Sequence, residues 1–157
     1  MKTLIYGAGP IGRWLALRLH QAGTDVTLLA RDRAFHSLRQ KGIEIVDGLT
    51  GERHTARVPV IDHFDPEDRS DLVVVAMRKA GRLGVCQVVA ENLHRRHVLF
   101  LGNDVSGFHR YLDHLPEEEV VLGFPGAGGG WEGDDLVIMD REKPSDRFGK
   151  LFVGELD

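Results

Sequence analysis

Short apolar runs alternate along this chain with stretches in which apolar residues recur at helical spacing. The runs predict strands at residues 2–6, 25–29, 43–46, 54–60, 71–77, 97–101, 120–124, 135–139 and 149–153. The helical spacing predicts helices at residues 10–22, 32–41, 81–93 and 107–115. Strands that alternate with helices form βαβ units with right-handed crossovers. The pattern therefore predicts an α/β fold with a doubly wound, mostly parallel sheet and a short antiparallel C-terminal extension.

The junction between the first predicted strand and the first predicted helix carries the motif Gly7-x-Gly9-x-x-Gly12. In a Rossmann dinucleotide-binding turn the first glycine permits a sharp turn and the second lets a pyrophosphate approach the backbone. The third glycine lets helix and strand pack closely. Pro10 stands where a helix begins, at a position that needs no backbone N–H. Free amides and the helix dipole favour a phosphate anion there. The alternative is an ordinary glycine turn.

The residue after the second predicted strand distinguishes between the nicotinamide cofactors. NAD binding uses an Asp or Glu about 20 residues after the glycines, which holds the ribose 2′-hydroxyl. At that distance the chain has Arg31, whose guanidinium would bind the 2′-phosphate of NADP. Arg33 would add a second cation, and Asp32 suits an N-cap for the next helix. The sequence therefore favours NADP, with a solvated charge at a helix start as the alternative interpretation of Arg31.

Composition and charge exclude several classes of protein. With 157 residues, 42% hydrophobic and 28% charged, the chain fits one globular domain. A net charge of −4 argues against a general nucleic-acid binder, and no apolar stretch approaches the roughly 20 residues of a membrane span. The single cysteine, Cys86, fits a buried packing position, and the histidine spacings indicate no metal site. No signal peptide is visible, so we expect a cytoplasmic protein.

The glycine motif and four later segments occur in a fixed order, and together they are more specific than the motif alone. The segments are Gly7-Ala-Gly-Pro-Ile-Gly12, Leu28-Leu-Ala-Arg31, Asp71-Leu-Val-Val-Val-Ala-Met-Arg78, Leu101-Gly-Asn103 and Gly123-Phe-Pro-Gly-Ala-Gly-Gly129. Together they resemble the N-terminal domain of the ketopantoate reductase family, within the wider 6-phosphogluconate-dehydrogenase-like group. The resemblance covers essentially the whole chain. The glycine motif alone is generic, whereas the later segments and their spacing are more specific.

The resemblance implies an NADP-dependent oxidoreductase that reduces a 2-keto acid to a 2-hydroxy acid, with ketopantoate converted to pantoate in pantothenate biosynthesis. It also implies an all-helical second domain, with the active site in the cleft between the two. This chain ends about where that helical domain would begin. We therefore expect a single NADP-binding Rossmann domain over residues 1–157 that lacks the helical domain and is inactive alone. Its uncovered apolar face would favour self-association, for example as a homodimer.

The resemblance further implies roles at the ends of later strands. The family takes a catalytic Lys from the end of the strand matched by residues 71–77, where this chain has Arg78 followed by Lys79. Arg78 can hold a keto-acid carboxylate, but a guanidinium is a poor proton donor to a forming alkoxide. Asn103 matches a family Asn that would bind substrate or the nicotinamide ribose. The alternatives are a solvated pair at a helix start for Arg78 and Lys79, and a turn-forming Asn103.

The expected cofactor contacts follow from the same resemblance. Those to the pyrophosphate are Gly7, Ala8, Gly9, Pro10, Ile11 and Gly12, and Arg31 would contact the 2′-phosphate. The residues expected along the path from adenosine to nicotinamide are Ala76, Met77, Arg78 and Asn103. The candidate catalytic residues are Arg78, Lys79 and Asn103. The glycine segment 126–130 is expected to be a loop that either closes over the nicotinamide or serves as a mobile connector.

Two other functions stay open at this point. One is a non-catalytic NADP(H)-sensing module, which the absence of the family Lys favours. The other is a different 2-hydroxy acid dehydrogenase of the wider group, which shares the two-domain plan. In the enzymatic interpretations the partner is a small-molecule 2-keto acid, and neither a nucleic acid nor a membrane is expected.

Overall fold

The computed structural model describes residues 1–102, 109–139 and 151–155, with Lys79 and residues 151–155 described by their backbone alone. The strands are β1 (Lys2–Tyr6), β2 (Asp25–Leu29), β3 (Ile43–Asp47), β4 (Arg53–Ala56), β5 (Val60–Ile61), β6 (Ser70–Val75), β7 (Arg95–Leu101), β8 (Val120–Pro125), β9 (Gly128–Glu132), β10 (Asp135–Met139) and β11 (Leu151–Glu155). The helices are α1 (Pro10–Gln21), α2 (Asp32–Lys41), α3 (Lys79–Glu91) and α4 (His109–Leu112). Across the described residues, no helix combines the length and apolarity that crossing a bilayer requires.

One large sheet has the strand order β11-β8-β7-β6-β1-β2-β5. The six strands from β8 to β5 are parallel, and β11 is antiparallel to β8. The chain adds β2 and β5 on one side of β1 and then β6, β7 and β8 on the other side. That order is doubly wound, with the switch in direction at β1. The structure therefore confirms the predicted fold class, including the antiparallel strand near the C-terminus.

A smaller mixed sheet, β4-β3-β10-β9, was not predicted. The strand expected at residues 54–60 is divided between the sheets, since β4 pairs with β3 and β5 pairs with β2. The loop expected at residues 126–130 is also corrected, because β8 continues to Pro125 and β9 already begins at Gly128. Pairing with β10 makes β9 a strand, and a run of glycines carries no local sign of such a partner.

Helix α1 lies between the two sheets and joins them in one hydrophobic core. Its apolar side packs with Ile5 and Leu28 of the large sheet and with Ile138 of the small one. Helix α3 packs on the opposite face of the large sheet, in a second cluster that includes Val75 and Phe100. The large sheet is therefore covered on both faces, which explains why its central strands are nearly continuous apolar runs.

The packing prediction for Cys86 is confirmed by burial. Cys86 is fully buried on α3, and burial raises the pKa of its thiol to about 11. A thiol in that environment stays protonated at neutral pH and does not act as a nucleophile. Trp14 is buried on α1 within the first core. Neither residue belongs to the candidate site.

Candidate cofactor-binding and active site

The carboxyl ends of three neighbouring strands meet at one edge of the large sheet. Gly7, directly after β1, donates its N–H to the carbonyl oxygen of Leu29 at the end of β2, with N···O 3.2 Å. Ala76, directly after β6, donates its N–H to the carbonyl oxygen of Tyr6, with N···O 3.0 Å. The structure therefore brings together the strand ends that carry the predicted site residues. This edge is where doubly wound folds bind ligands.

The glycines of the turn meet different surroundings. Gly7 has a φ of +117°, and a Cβ there would lie 2.7 Å from the carbonyl oxygen of Ala76. A Cβ on Gly12 would overlap the carbonyl oxygen of Gly7, so the start of α1 packs directly on the turn. A Cβ on Gly9, by contrast, would meet no atom within 4 Å. The turn is closed at Gly7 and Gly12 and open at Gly9, so that a ligand can reach the backbone there.

Helix α1 begins at Pro10, with Gly9 as its N-cap. No side chain caps this helix start, and its first turn contains no acidic residue. The N–H groups of Ile11 and Gly12 belong to the first turn and have no acceptor within the helix. Together with the helix dipole they create a positive potential beside the open face of the turn. A diphosphate fits this arrangement of free donors, open space and positive potential.

Arg31 follows β2 at the same edge and is held by a residue that sequence reasoning missed. Its Nη2 donates a hydrogen bond of 2.6 Å to the hydroxyl of Tyr6, and its Cζ lies 5.7 Å from the centre of the Tyr6 ring. Tyr6 is buried whereas Arg31 is exposed. Tyr6 therefore fixes the guanidinium beside the ends of β1 and β2. Among the described residues the remaining N–H groups of the side chain have no acceptor, so they can bind a ligand. In the sequence, a tyrosine at the end of a buried strand looks like any other core residue, so nothing indicated that it would hold Arg31.

Asp32 does not cap the helix as expected. Arg31 is the N-cap of α2 in extended conformation, and Asp32 is the first helical residue, with a φ of +51°. The chain turns so sharply between β2 and α2 that Asp32 adopts the left-handed region, which Asp tolerates better than most residues. The carboxylate of Asp32 is therefore part of the turn rather than a cap.

Met77 lies at the base of the candidate site, next to the glycine turn. Strand β6 ends at Val75, two residues before the predicted end, and Ala76 and Met77 follow it half-buried. A Cβ on Gly7 would lie 2.8 Å from Cγ of Met77, and a Cβ on Gly81 would lie 2.8 Å from its Cε. Met77 thus fills the space between the glycine turn and the start of α3.

The candidate catalytic residues lie at the start of α3. Arg78 is its exposed N-cap, and Lys79 is its first residue. In the part of the chain that the structure describes, no hydrogen bond or ion pair involves the Arg78 guanidinium. Asn103 lies outside the described residues. The chain reaches that position through Gly102, whose N–H donates to the carbonyl oxygen of Gly123, with N···O 3.0 Å.

Arg82 joins the strand ends on this side, and it was not predicted. The side chain is only 6% exposed. Its Nε donates to the carbonyl oxygen of Met77 (2.9 Å) and its Nη2 to that of Leu101 (2.7 Å). Its Nη1 reaches the hydroxyl of Tyr111 at 3.4 Å. The sequence signal was an arginine on the same helix stripe as Val85 and Val89, where an apolar residue is expected.

Arg13 is a second arginine that sequence reasoning missed, and it lies beside the glycine turn. Its Nε donates to the carbonyl oxygen of Ala8, with N···O 2.8 Å. Its Cζ lies 5.0 Å from the centre of the Trp131 ring on β9. Trp131 is 53% exposed, and its ring lies beneath the Arg13 guanidinium. The signal was a cation in the first helical turn directly after the glycine motif.

Comparison with known proteins agrees with this geometry. The family model "Ketopantoate reductase PanE/ApbA" matches residues 3–150. A 2-dehydropantoate 2-reductase of Pyrococcus abyssi is 28% identical over 116 residues, which is 72% of this chain and 36% of that protein. One of Mesorhizobium japonicum is 28% identical over 142 residues, or 89% of this chain and 39% of that protein. The chain thus spans less than half the length of these relatives.

Solved structures show the same fold. A 2-dehydropantoate 2-reductase from Geobacter metallireducens superposes with a TM-score of 0.79 at 19% identity, over 99% of this chain and 49% of that chain. D-mandelate dehydrogenase, in a ternary structure with NADH and anilino(oxo)acetate, superposes with a TM-score of 0.77 at 23% identity, over 88% of this chain and 46% of that chain. The sheet order, the glycine turn and the match over residues 3–150 agree. This chain belongs to the ketopantoate reductase PanE/ApbA family.

Proposed function

We propose that this chain is the NADP-binding part of an oxidoreductase that reduces a 2-keto acid to a 2-hydroxy acid. The relatives named 2-dehydropantoate 2-reductase make ketopantoate the first substrate to test. Because the chain spans about two-fifths of those proteins, the proposal assigns it cofactor binding and one wall of the active site. It does not assign turnover to this chain alone.

The observation that carries the proposal is the position of Arg31 relative to the glycine turn. Tyr6 and Gly7 are adjacent in the chain, and Tyr6 holds the Arg31 guanidinium by a 2.6 Å hydrogen bond. A dinucleotide whose diphosphate lies over Gly9 extends its adenosine towards the end of β2 in this fold. Arg31 stands at that strand end, so a 2′-phosphate there would gain charge-assisted hydrogen bonds.

Calorimetry with NADPH and NADH tests the cofactor assignment. We expect NADPH to bind more tightly, and Arg31→Ala to remove the difference by weakening NADPH alone about tenfold or more. Arg96→Ala is the matched control. Arg96 is exposed near the start of β7, at the amino ends of the parallel strands, whereas Arg31 lies at their carboxyl ends. Equal affinity of the parent chain for the two cofactors would contradict the role of Arg31.

The chemistry on the substrate side rests on the start of α3. When bound, the reduced nicotinamide supplies the hydride that the keto carbon accepts. Arg78, exposed at this edge, would bind the substrate carboxylate through its guanidinium. A guanidinium releases a proton poorly, so we assign proton donation to Lys79 or to a group outside the described residues. Arg82 would keep the ends of β6 and β7 at a fixed separation beneath the substrate.

Assays of keto-acid reduction test this part. We expect the 157-residue chain to bind NADPH yet to reduce ketopantoate below the detection limit. In a protein that includes the remaining length found in the relatives, Arg78→Lys should raise kcat if proton donation limits the rate. Robust turnover by this chain alone would show that the crevice described here is sufficient.

A second candidate is a non-catalytic module that senses NADP(H), and Arg78 at the family lysine position favours it. An assay of a protein that includes the remaining length found in the relatives distinguishes the two proposals. The module predicts NADPH binding without reduction of any 2-keto acid, and the reductase predicts turnover of at least one.

A further inference from the structure

Arg13 occupies an electrostatically unfavourable position. It is the fourth residue of α1, and a cation in the first turn opposes the helix dipole. The side chain is half-buried, and burial lowers the pKa of its guanidinium. Among the described residues no carboxylate forms an ion pair with it, and the first turn of α1 contains no acid. A residue that costs stability in this way commonly serves a ligand.

Two contacts hold the Arg13 side chain in one orientation. The Nε–H group donates to the carbonyl oxygen of Ala8, which belongs to the glycine turn. One face of the guanidinium lies over the ring of Trp131, 5.0 Å from its centre. These contacts fix the plane of the group between the turn and β9. They leave the N–H groups of Nη1 and Nη2 without an acceptor among the described residues.

We propose that Arg13, held by Trp131, binds the diphosphate of the dinucleotide from the side of the small sheet. The inference rests on the proposed function and adds a determinant of affinity to it. The guanidinium is anchored within hydrogen-bond reach of Ala8, and Gly9 next to it is the open position of the turn. A fork of N–H groups matches two phosphate oxygens, and the bound anion offsets the conflict between Arg13 and the helix dipole.

The roles of Arg13 and Arg31 differ in a measurable way. A diphosphate is common to NADPH, NADH and ADP, so Arg13 contributes to affinity for all three. A 2′-phosphate occurs in NADPH and 2′-AMP but not in NADH or ADP, so Arg31 contributes to selectivity. The two arginines therefore divide recognition of one cofactor between two phosphate sites.

Binding of four probes to three chains tests this division. The probes are NADPH, NADH, ADP and 2′-AMP, and the chains are the parent, Arg13→Gln and Arg31→Ala. We expect Arg13→Gln to weaken NADPH, NADH and ADP by a similar factor, about tenfold or more, and to leave 2′-AMP unchanged. Arg31→Ala should weaken NADPH and 2′-AMP and leave ADP and NADH unchanged.

Trp131→Leu provides a second variant that does not alter the glycine turn or α1. It removes the ring beneath the guanidinium, and we expect a smaller loss of ADP affinity, about threefold. Circular dichroism melts of each variant show whether the fold is retained. In a Trp14→Phe background Trp131 is the remaining tryptophan, and ADP should change its fluorescence.

The outcomes separate this inference from the function on which it rests. If the parent chain binds neither NADPH nor ADP, the proposed function fails. If NADPH binds with Arg31-dependent selectivity while folded Arg13→Gln and Trp131→Leu bind ADP like the parent, only the role of Arg13 is overturned. Loss of 2′-AMP binding together with ADP binding in Arg13→Gln would also overturn it, because the defect would not be confined to the diphosphate.

Discussion

Two segments of this chain are rich in glycine, and they use it for different physical reasons. In the turn at residues 7–12, Gly7 needs its φ of +117°, and Gly12 lies against the Gly7 carbonyl oxygen. In β9 no glycine has a positive φ, and the segment is an ordinary strand paired with β10. Composition alone does not separate a ligand-binding turn from a strand. The difference lies in which atoms a side chain would meet.

The two segments also meet in space, through helix α1. Arg13 bonds to Ala8 in the turn and stacks on Trp131 at the end of the glycine run in β9. The small sheet therefore reaches the side of the glycine turn through Arg13, in addition to covering α1. Substitutions in the two segments should separate three properties, which are folding, cofactor binding and the link between the sheets.

The largest effect is expected within the first segment. Gly12→Ala places a methyl group where the Gly7 carbonyl oxygen lies, and we expect it to lower the free energy of unfolding by about 3 kcal/mol and to abolish NADPH binding. Urea denaturation and calorimetry measure the two properties.

The matched variant is Gly9→Ala, whose methyl group enters open space. Its free energy of unfolding should stay within about 0.5 kcal/mol of the parent value, whereas NADPH affinity should fall because the methyl group occupies the approach to the turn. Unchanged affinity in folded Gly9→Ala would show that the diphosphate does not lie there.

In the second segment the expected effect is on folding alone. A Cβ on Gly129 would overlap the carbonyl oxygen of Val137, whereas one on Gly130 would meet no atom within 4 Å. Gly129→Ala should lower the free energy of unfolding by about 2 kcal/mol, and Gly130→Ala should leave it nearly unchanged. Thermal melts followed by circular dichroism compare them. Equal melting temperatures would mean that β9 is not paired as described.

Sequence reasoning predicted the large sheet well because its strands carry their own signal. Buried β-branched runs such as residues 71–77 identify strands without knowledge of their neighbours. The small sheet was missed because β9 is a strand only through its partner. In the site, the glycines and Arg31 follow a motif with fixed spacing. Tyr6, Arg13 and Arg82 act through contacts with residues elsewhere in the chain, such as Arg31, Trp131 and Tyr111. The local pattern marks the two arginines as unusual, but it does not identify these partners.

A smaller effect is expected where the strand has room for a side chain. Gly130 pairs with Val137, and threonine at this position would add cross-strand contact and reduce the conformational freedom of the unfolded chain. We expect Gly130→Thr to raise the free energy of unfolding by about 0.5 kcal/mol, or roughly 2 °C in melting temperature, with NADPH affinity unchanged. A lower melting temperature would indicate a neighbour on that face of β9.

The smallest effect on the free chain concerns Arg13, which links the segments. Arg13→Met removes a cation that opposes the helix dipole, worth about 0.3–1 kcal/mol, and it loses a cation–π contact of similar size, about 0.5–1 kcal/mol. A thioether still packs on Trp131, so the free energy of unfolding without ligand should stay within about 0.5 kcal/mol of the parent value. With saturating NADPH, the free energy of unfolding of Arg13→Met should fall below that of the parent chain. A tenfold weaker affinity reduces ligand stabilisation by about 1.4 kcal/mol, and melting curves with and without NADPH measure that difference. Equal stabilisation of the parent chain and Arg13→Met by NADPH would mean that Arg13 serves only the structure of the free chain. The glycine turn and β9 would then both contact α1, but the contact between Arg13 and Trp131 would have no part in ligand binding.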